Sequence, residues 1–526
     1  MNTETPKLTF EMTTKKLFLS LAIFFSLGFF STINAFPKEG DNVFNIRTYG
    51  AVGDGKNLDS PAINKAIEAA SKAGGGTVLV PAGTYLSGSI QMRSNINLRI
   101  DVGAIILGAP QEMNAYDETE PFSGQAYQDG GHTYFHNSLI WGENLTNVFI
   151  TGNGMINGGG LTKDSGPLDR MSGYDHWQKP DTSTVFKPIR LGNKAIALKL
   201  CSNVLIRDIT IAHGGHFAIL VTGCDNMTID NVTIDTNRDG IDIDACRNTM
   251  VSNCRINAPG DDGLCIKSSY ALGEARITEN LTITNCQVSG FKEGTLLDGT
   301  MQDDPWGQGR LKFGTESSGG FRNCVISNCT FRNSWGLALE EVDGGILENI
   351  TINNITMINI SRYPIYITTG KRNRTAGLTT VSRMKNVLIS NVIATGITSR
   401  SGIQITGLPE QPIDGLRLEN IHLSFEGGGT KEQALAIPNE LGTGYPEPTA
   451  TMPTYGLFVR HVKNLELANI TTSFTTEDSR PAAMFIDVQG LEIDNFKPLV
   501  ADGIKAAVFG ADVSGVVIRN SPLVKQ

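Results

Sequence analysis

The chain has 526 residues, a formal net charge of −9 and a pI near 5.4, which excludes a nucleic-acid partner held by general electrostatic attraction. An anionic polymer would have to be gripped by a local basic cluster. Its 58 glycines, with aromatics at only 7%, favour turn-rich β structure over helix and over a sandwich packed around many rings.

Lys15 and Lys16 precede an apolar run over residues 17–30 and a small-residue exit ending at Ala35. That order predicts a signal peptide over 1–35, cleaved after Ala35, and export to the periplasm or the outside. The run is short for a membrane span, and no other stretch is apolar enough, so the mature chain is not expected to enter a membrane. Residues 36–526 are expected to form a single catalytic domain, and a monomer. Asp59 or Ser60 predicts a helix N-cap, Pro61 suits the first turn, and Ala62, Ile63, Ala66, Ile67 and Ala70 form one apolar side. Gly74 to Gly76 end this helix. Short strand patterns follow it, so it is read as a cap over the open end of a β stack.

From about Asn144 a repeat appears: Asn, an apolar residue, one further residue, then an apolar one. It recurs at Asn147, Asn203, Asn226, Asn253, Asn280, Asn323, Asn349, Asn386 and Asn464. Many copies carry a second Asn five residues on, as at Asn231, Asn285, Asn328 and Asn354. Short strands with Asn or Gly corners at this period predict an all-β, right-handed parallel β-helix. Stacked Asn side chains would satisfy one another's amides at the corners. Cys254, Cys286, Cys324 and Cys329 each follow such an Asn, and are read as small buried residues. Three stretches break the repeat, at 162–188, 291–308 and 427–453. In a solenoid such insertions commonly build the binding cleft.

The chemistry concentrates in 237–268. Asn-Arg-Asp-Gly-Ile-Asp-Ile-Asp (237–244) alternates isoleucine with aspartate, which is strand spacing. Gly-Asp-Asp-Gly (260–263) puts Asp261 and Asp262 22 and 23 residues after Asp239, the length of one coil. Asp242 and Asp244 are expected on a solvated strand face. His213 and His216 are expected to line the cleft.

The opening Tyr-Gly-Ala-Val-Gly-Asp-Gly (49–55), the Asn-rich coils, Asp239-Gly240 and Gly260-Asp261-Asp262 together resemble glycoside hydrolase family 28, the polygalacturonases and rhamnogalacturonan hydrolases of pectin. The resemblance spans nearly the whole mature chain. It implies an inverting hydrolase with Asp261 as general acid and Asp239 and Asp262 activating water. It requires no metal and no cofactor. Clustered carboxylates cannot all ionise easily, so one keeps its proton for the leaving oxygen. Inversion calls for roughly 6.5–9.5 Å between acid and base.

Two family motifs are altered. Arg310 stands where a Gly-His-Gly histidine is expected, and Ala338-Leu339-Glu340 replaces Arg-Ile-Lys. The cations that would then bind substrate are Arg310, Lys312, Arg238, Lys267 and Arg372, with Lys371 and Arg374 as further candidates. Glu340 and Glu341 could contact hydroxyls. The expected partner is a pectic polysaccharide or oligosaccharide with α-linked galacturonate. Exo action or a rhamnogalacturonan substrate are the finer alternatives. A β-eliminating lyase and a non-catalytic carbohydrate-binding β-helix are the rivals.

Overall fold

The computed structural model describes residues 42–120, 130–163, 190–375, 377–398, 400, 402–446 and 451–526. The leader at 1–35 and nearly all of the insertion at 162–188 lie outside them. Among the described residues, no helix is long and apolar enough to cross a membrane.

The fold is a right-handed parallel β-helix. Its strands pair in parallel with the equivalent strands of the neighbouring coils, as Lys194–Lys199 does with Phe217–Thr222, and Ser202–Arg207 with Asp225–Asp230. Alternation decides which side chains go inside. In β1 (Phe217–Thr222) and β2 (Asp239–Asp244), Ile219 stacks on Ile241 and Val221 on Ile243. All four are fully buried in one core that runs through the coils. The same face continues through β3 (Leu264–Lys267), β4 (Leu311–Phe313), β5 (Phe321–Glu341) and β6 (Ile346–Thr369). The eight cysteines are free and buried. Seven belong to the core, while Cys265 faces outward between Asp242 and Lys312.

The helix α1 (Ser60–Lys72) buries Ala62, Ile63, Ala66, Ile67 and Ala70, as its period predicts. Asp59 takes the N-cap position but makes no side-chain cap bond. Its carboxylate instead accepts hydrogen bonds from the backbone N–H groups of Val52 (2.7 Å) and Gly53 (3.0 Å). It ties the entry loop to the cap.

The repeat asparagines sit at corners with positive φ, near 57° at Asn323, a conformation that asparagine tolerates better than most residues. Their amides form the predicted ladder. Asn280 donates to Asn248 (3.1 Å), Asn323 to Asn280 (3.2 Å) and Asn349 to Asn323 (3.1 Å). Replacing Asn323 by Ala removes two rungs and puts a poor residue at a left-handed corner. The expected loss is about 1–2 kcal/mol, read as a lower urea midpoint. Asn323→Gly should recover part of it, because glycine restores the corner but not the ladder.

Candidate active site

Three turns stacked on successive coils build the site. Asp239 opens β2, Asp262 lies just before β3, and Arg310 just before β4. Backbone bonds fix their register: Gly240 N–H donates to the carbonyl of Asp262 (3.0 Å), and Gly263 N–H to that of Arg310 (2.9 Å). The coils are so close here that a Cβ on Gly240 would meet the Gly263 carbonyl oxygen at 2.3 Å. Asp-Gly is therefore a packing requirement at this turn as well as a chemical one.

Asp239, Asp261 and Asp262 each bring a carboxylate oxygen within 4.8 Å of the others. The separation of roughly 6.5–9.5 Å expected between acid and base is not reached by these oxygens, because the carboxylates converge across the coil spacing. Their environments differ. Asp262 is 1% exposed. It is ion-paired with Arg310 through Nε and with Lys312 through Nζ (2.5 Å). Burial opposes its charge, but the two cations outweigh burial and hold its carboxyl well below the usual range. Asp239 is also buried, and burial together with the neighbouring Asp261 pushes its carboxyl well above the usual range. The Asp261 side chain keeps 25% exposure and pairs with Arg238 at 2.9 Å.

Asp261 lines a pocket of about 150 Å³, with Trp306, Gln308, Arg310, Trp335, Tyr445 and Pro446. Trp306 and Gln308 come from the insertion at 291–308, and Tyr445 and Pro446 from that at 427–453. Both insertions therefore build the site, as their position in the repeat predicts. The indoles of Trp306 and Trp335 lie 5.0 Å apart, with the Arg362 guanidinium 3.8 Å over Trp335. Gln308, Trp335, Tyr445 and Arg362 are absent from the sequence reading. They occupy no motif; Gln308 and Tyr445 lie in insertions, and Trp335 and Arg362 lie within β5 and β6.

The structure thus brings Arg238, Arg310 and Lys312 to the acidic trio. It does not bring Lys267 or Arg372 to the pocket. Lys267 is buried against Asp242 (2.8 Å), His132 (2.9 Å) and Glu316 (3.5 Å). Arg372 is paired with Asp343 and Glu316. The solvated face expected for Asp242 and Asp244 is in fact sealed: both are fully buried. The short helix Gly130–Thr133 carries His132 to Asp242 at 3.5 Å. Asp244 accepts hydrogen bonds from the hydroxyl of Ser269 (2.5 Å) and its N–H (2.7 Å). His213 and His216 do not line the pocket, and bond Glu293 and the Lys163 carbonyl, both at 2.8 Å. Lys371 pairs with Glu410, and Arg374 with Glu316. Glu340 is buried 3.5 Å from Arg310, and burial raises its carboxyl. Burial raises Glu341 too.

The outward row of the catalytic face is closed on both sides of the trio. On one flank Phe135 covers Ala197, Phe217 and Leu220. On the other, Ala338, Tyr363, Tyr366, Met452, Phe458 and Met484 form a second cluster. Ala197, Leu220, Asp242, Cys265, Lys312, Ala338, Tyr366, Gln404, Phe458 and Met484 succeed one another along this row. None of them exceeds 6% exposure.

Asp262→Asn would leave Arg310 and Lys312 buried with half of their compensation gone. The expected loss of stability is about 3–5 kcal/mol. In the native protein the contribution of this ion pair is complete above the ordinary carboxyl range near pH ~4. It is lost as the pH falls toward the depressed native value. Urea unfolding of the variant should therefore show a shallower loss on acidification. A change below about 1 kcal/mol would mean that Glu340 can replace Asp262 as the counter-ion.

Residues 43–265 match the family model described as rhamnogalacturonase A/epimerase, pectate lyase-like. A probable polygalacturonase of Vitis vinifera is 24% identical over 428 residues, covering 78% of this chain and 80% of its own length. The exo-poly-alpha-D-galacturonosidase of Dickeya chrysanthemi is 25% identical over 419 residues, covering 72% and 65%. Among solved structures, the exopolygalacturonase of Thermotoga maritima superposes with a TM-score of 0.58 at 21% identity, over 82% of this chain and 92% of that one. The family 28 exopolygalacturonase of Yersinia enterocolitica gives 0.58 at 17%, over 86% and 78%. These two structures share the fold. The chain is thus similar to polygalacturonases over most of its length.

Proposed function

We propose that this protein is an exported exo-acting hydrolase that removes α-linked galacturonate from the chain ends of pectic polysaccharide, with inversion. The observation that carries this reading is a pocket with Asp261 in its wall and Asp239 and Asp262 buried behind it. A pocket rather than a groove suits a chain end, and among the described residues the outward row is buried on either flank. Two relatives are named as exo-acting enzymes, those of Dickeya chrysanthemi and Platanus acerifolia.

Asp261 is the general acid, because it alone of the trio lines the pocket. Asp239 and Asp262 can reach the sugar only through a water molecule, which favours inversion over a covalent intermediate even at this short separation. Burial and the neighbouring Asp261 favour a proton on Asp239, so the working state requires that proton to pass to Asp261, which leaves Asp239 to accept one from water. Asp262, kept ionised by Arg310 and Lys312, supplies the fixed charge that orients the water. Arg310 is the cation in the pocket wall, and its donors suit a planar uronate carboxylate. The indoles of Trp306 and Trp335 offer faces for a sugar ring. A rhamnogalacturonan end is the second reading, favoured by Ala338 and Glu340 where carboxylate-binding cations are expected.

Polygalacturonate, its oligosaccharides and rhamnogalacturonan fragments form the test panel. The expected products are short, saturated sugars, released from polygalacturonate while its viscosity falls slowly, with the β anomer forming first by NMR. Asp261→Asn should lose on the order of a hundredfold or more in rate. Unsaturated products would mean a lyase, rapid loss of viscosity would mean internal cleavage, and a first-formed α anomer would overturn inversion. Trp306→Ala should raise KM by about 5- to 10-fold and lower kcat by less than Asp261→Asn does.

A further inference from the structure

Gln308 belongs to none of the motifs, yet it touches both Asp261 in the pocket wall and Asp262 buried behind it. Its Nε2 donates to Asp261 Oδ1 (3.0 Å) and to Asp262 Oδ1 (3.2 Å). Trp306 Nε1 donates to Gln308 Oε1 at 3.2 Å. With carboxylates on one side and an indole N–H on the other, only one orientation of the amide satisfies both. The backbone is held as firmly. Gln308 N–H donates to the Pro259 carbonyl (2.9 Å), and its own carbonyl accepts from Trp335 N–H (2.7 Å). The side chain is 6% exposed, so no rotation into solvent competes with these bonds.

Asp261 Oδ1 also accepts from the backbone N–H of Asp262 at 3.0 Å. An oxygen that already accepts two N–H donors is a poor place for a proton. The other oxygen, Oδ2, faces one donor group, Arg238 at 2.9 Å, and so keeps a lone pair for the proton where Oδ1, with two donors, does not. We propose that Gln308 is a positioning residue: its amide ties Asp261 to Asp262 and confines the transferable proton of Asp261 to Oδ2, the oxygen from which it is donated. Trp306 sets the amide, so the aromatic wall of the pocket and the acid are held by one arm, the insertion at 291–308.

The kinetic consequence rests on the hydrolase reading above. Gln308→Met keeps the volume and removes both donors. Asp261 then loses a hydrogen bond that favours its charged form, and the alkaline limb of kcat/KM, set by loss of the general acid's proton, moves up by about one pH unit. The value of kcat falls by about 10- to 100-fold, with KM changed less than about 3-fold. Gln308→Glu should move the limb further in the same direction, by adding a like charge.

A second arm needs no turnover. Carbodiimide modifies protonated carboxyls, and Asp261 is accessible, so the pH midpoint of its labelling, mapped by mass spectrometry, reports its proton affinity directly. This midpoint should rise by about one pH unit in Gln308→Met. Trp306→Phe, at a residue that is 53% exposed, removes the indole N–H and keeps a smaller aromatic ring. It should shift the midpoint the same way by less, which keeps the test open should Gln308→Met not fold. An unchanged midpoint in a folded Gln308 variant overturns the proposal, as does a variant that alters KM alone. Failure of the wild type to release product from any pectic substrate sinks the hydrolase reading instead, and the labelling midpoint still decides the role of Gln308.

Discussion

Everything in this protein depends on the coil repeat. A side chain on one coil sits about 4.8 Å from its counterpart on the next, and that spacing is set by backbone hydrogen bonds, not by the side chains themselves. Isoleucines stacked at this distance fill a core without large rings. Asparagines stacked at this distance close a ladder of amides along the corners. Carboxylates stacked at this distance repel, and the same rule that makes the core easy makes the acidic face expensive. Asp239, Asp261 and Asp262 can persist there only because the next coil brings Arg310 and Lys312 to Asp262.

The compensation is uneven, and the unevenness separates the three acids. The two cations fall on Asp262, so that carboxyl stays ionised. Asp239 is as buried but receives no close cation of its own; Arg238 lies 3.9 Å away. Beside the pocket a second buried network repeats the logic with different partners. There, Lys267 and Arg372 hold Glu316 well below the usual carboxyl range against the effect of burial. Its charges are spent on one another beneath the helix Gly130–Thr133, which makes that part of the face a rigid support and not a surface for substrate.

Much of this was legible in the sequence. The coil repeat, the Asn corners, the amphipathic cap and the acidic turns follow from periods and spacings that the backbone imposes locally. The rest depends on long-range covering. Asp242 and Asp244 read as solvated because alternation tells which face a side chain takes, not whether another segment lies over that face. His132, more than a hundred residues earlier, is what closes it. Lys267 and Arg372 read as substrate ligands because a lone cation near an acidic motif is easily assigned to an anion outside the chain. Glu316 and Asp343 claim them first. Two reasons account for the missed pocket residues. Gln308 and Tyr445 lie in insertions, where no periodicity relates sequence position to space, and Trp335 lies on a strand whose period does not tell which loop it will meet.

The cysteines carry a consequence of their own. With no cross-link among them, each thiol is shielded only by the coil that contains it. Seven point into the core along successive coils from Cys201 to Cys329, so a small thiol reagent can reach each one only when its coil breathes. Cys265 differs, because it faces outward beneath the covered catalytic row. The protein thus contains its own set of local clocks: seven that tick with the opening of the spine, and one that ticks with the lifting of its cover.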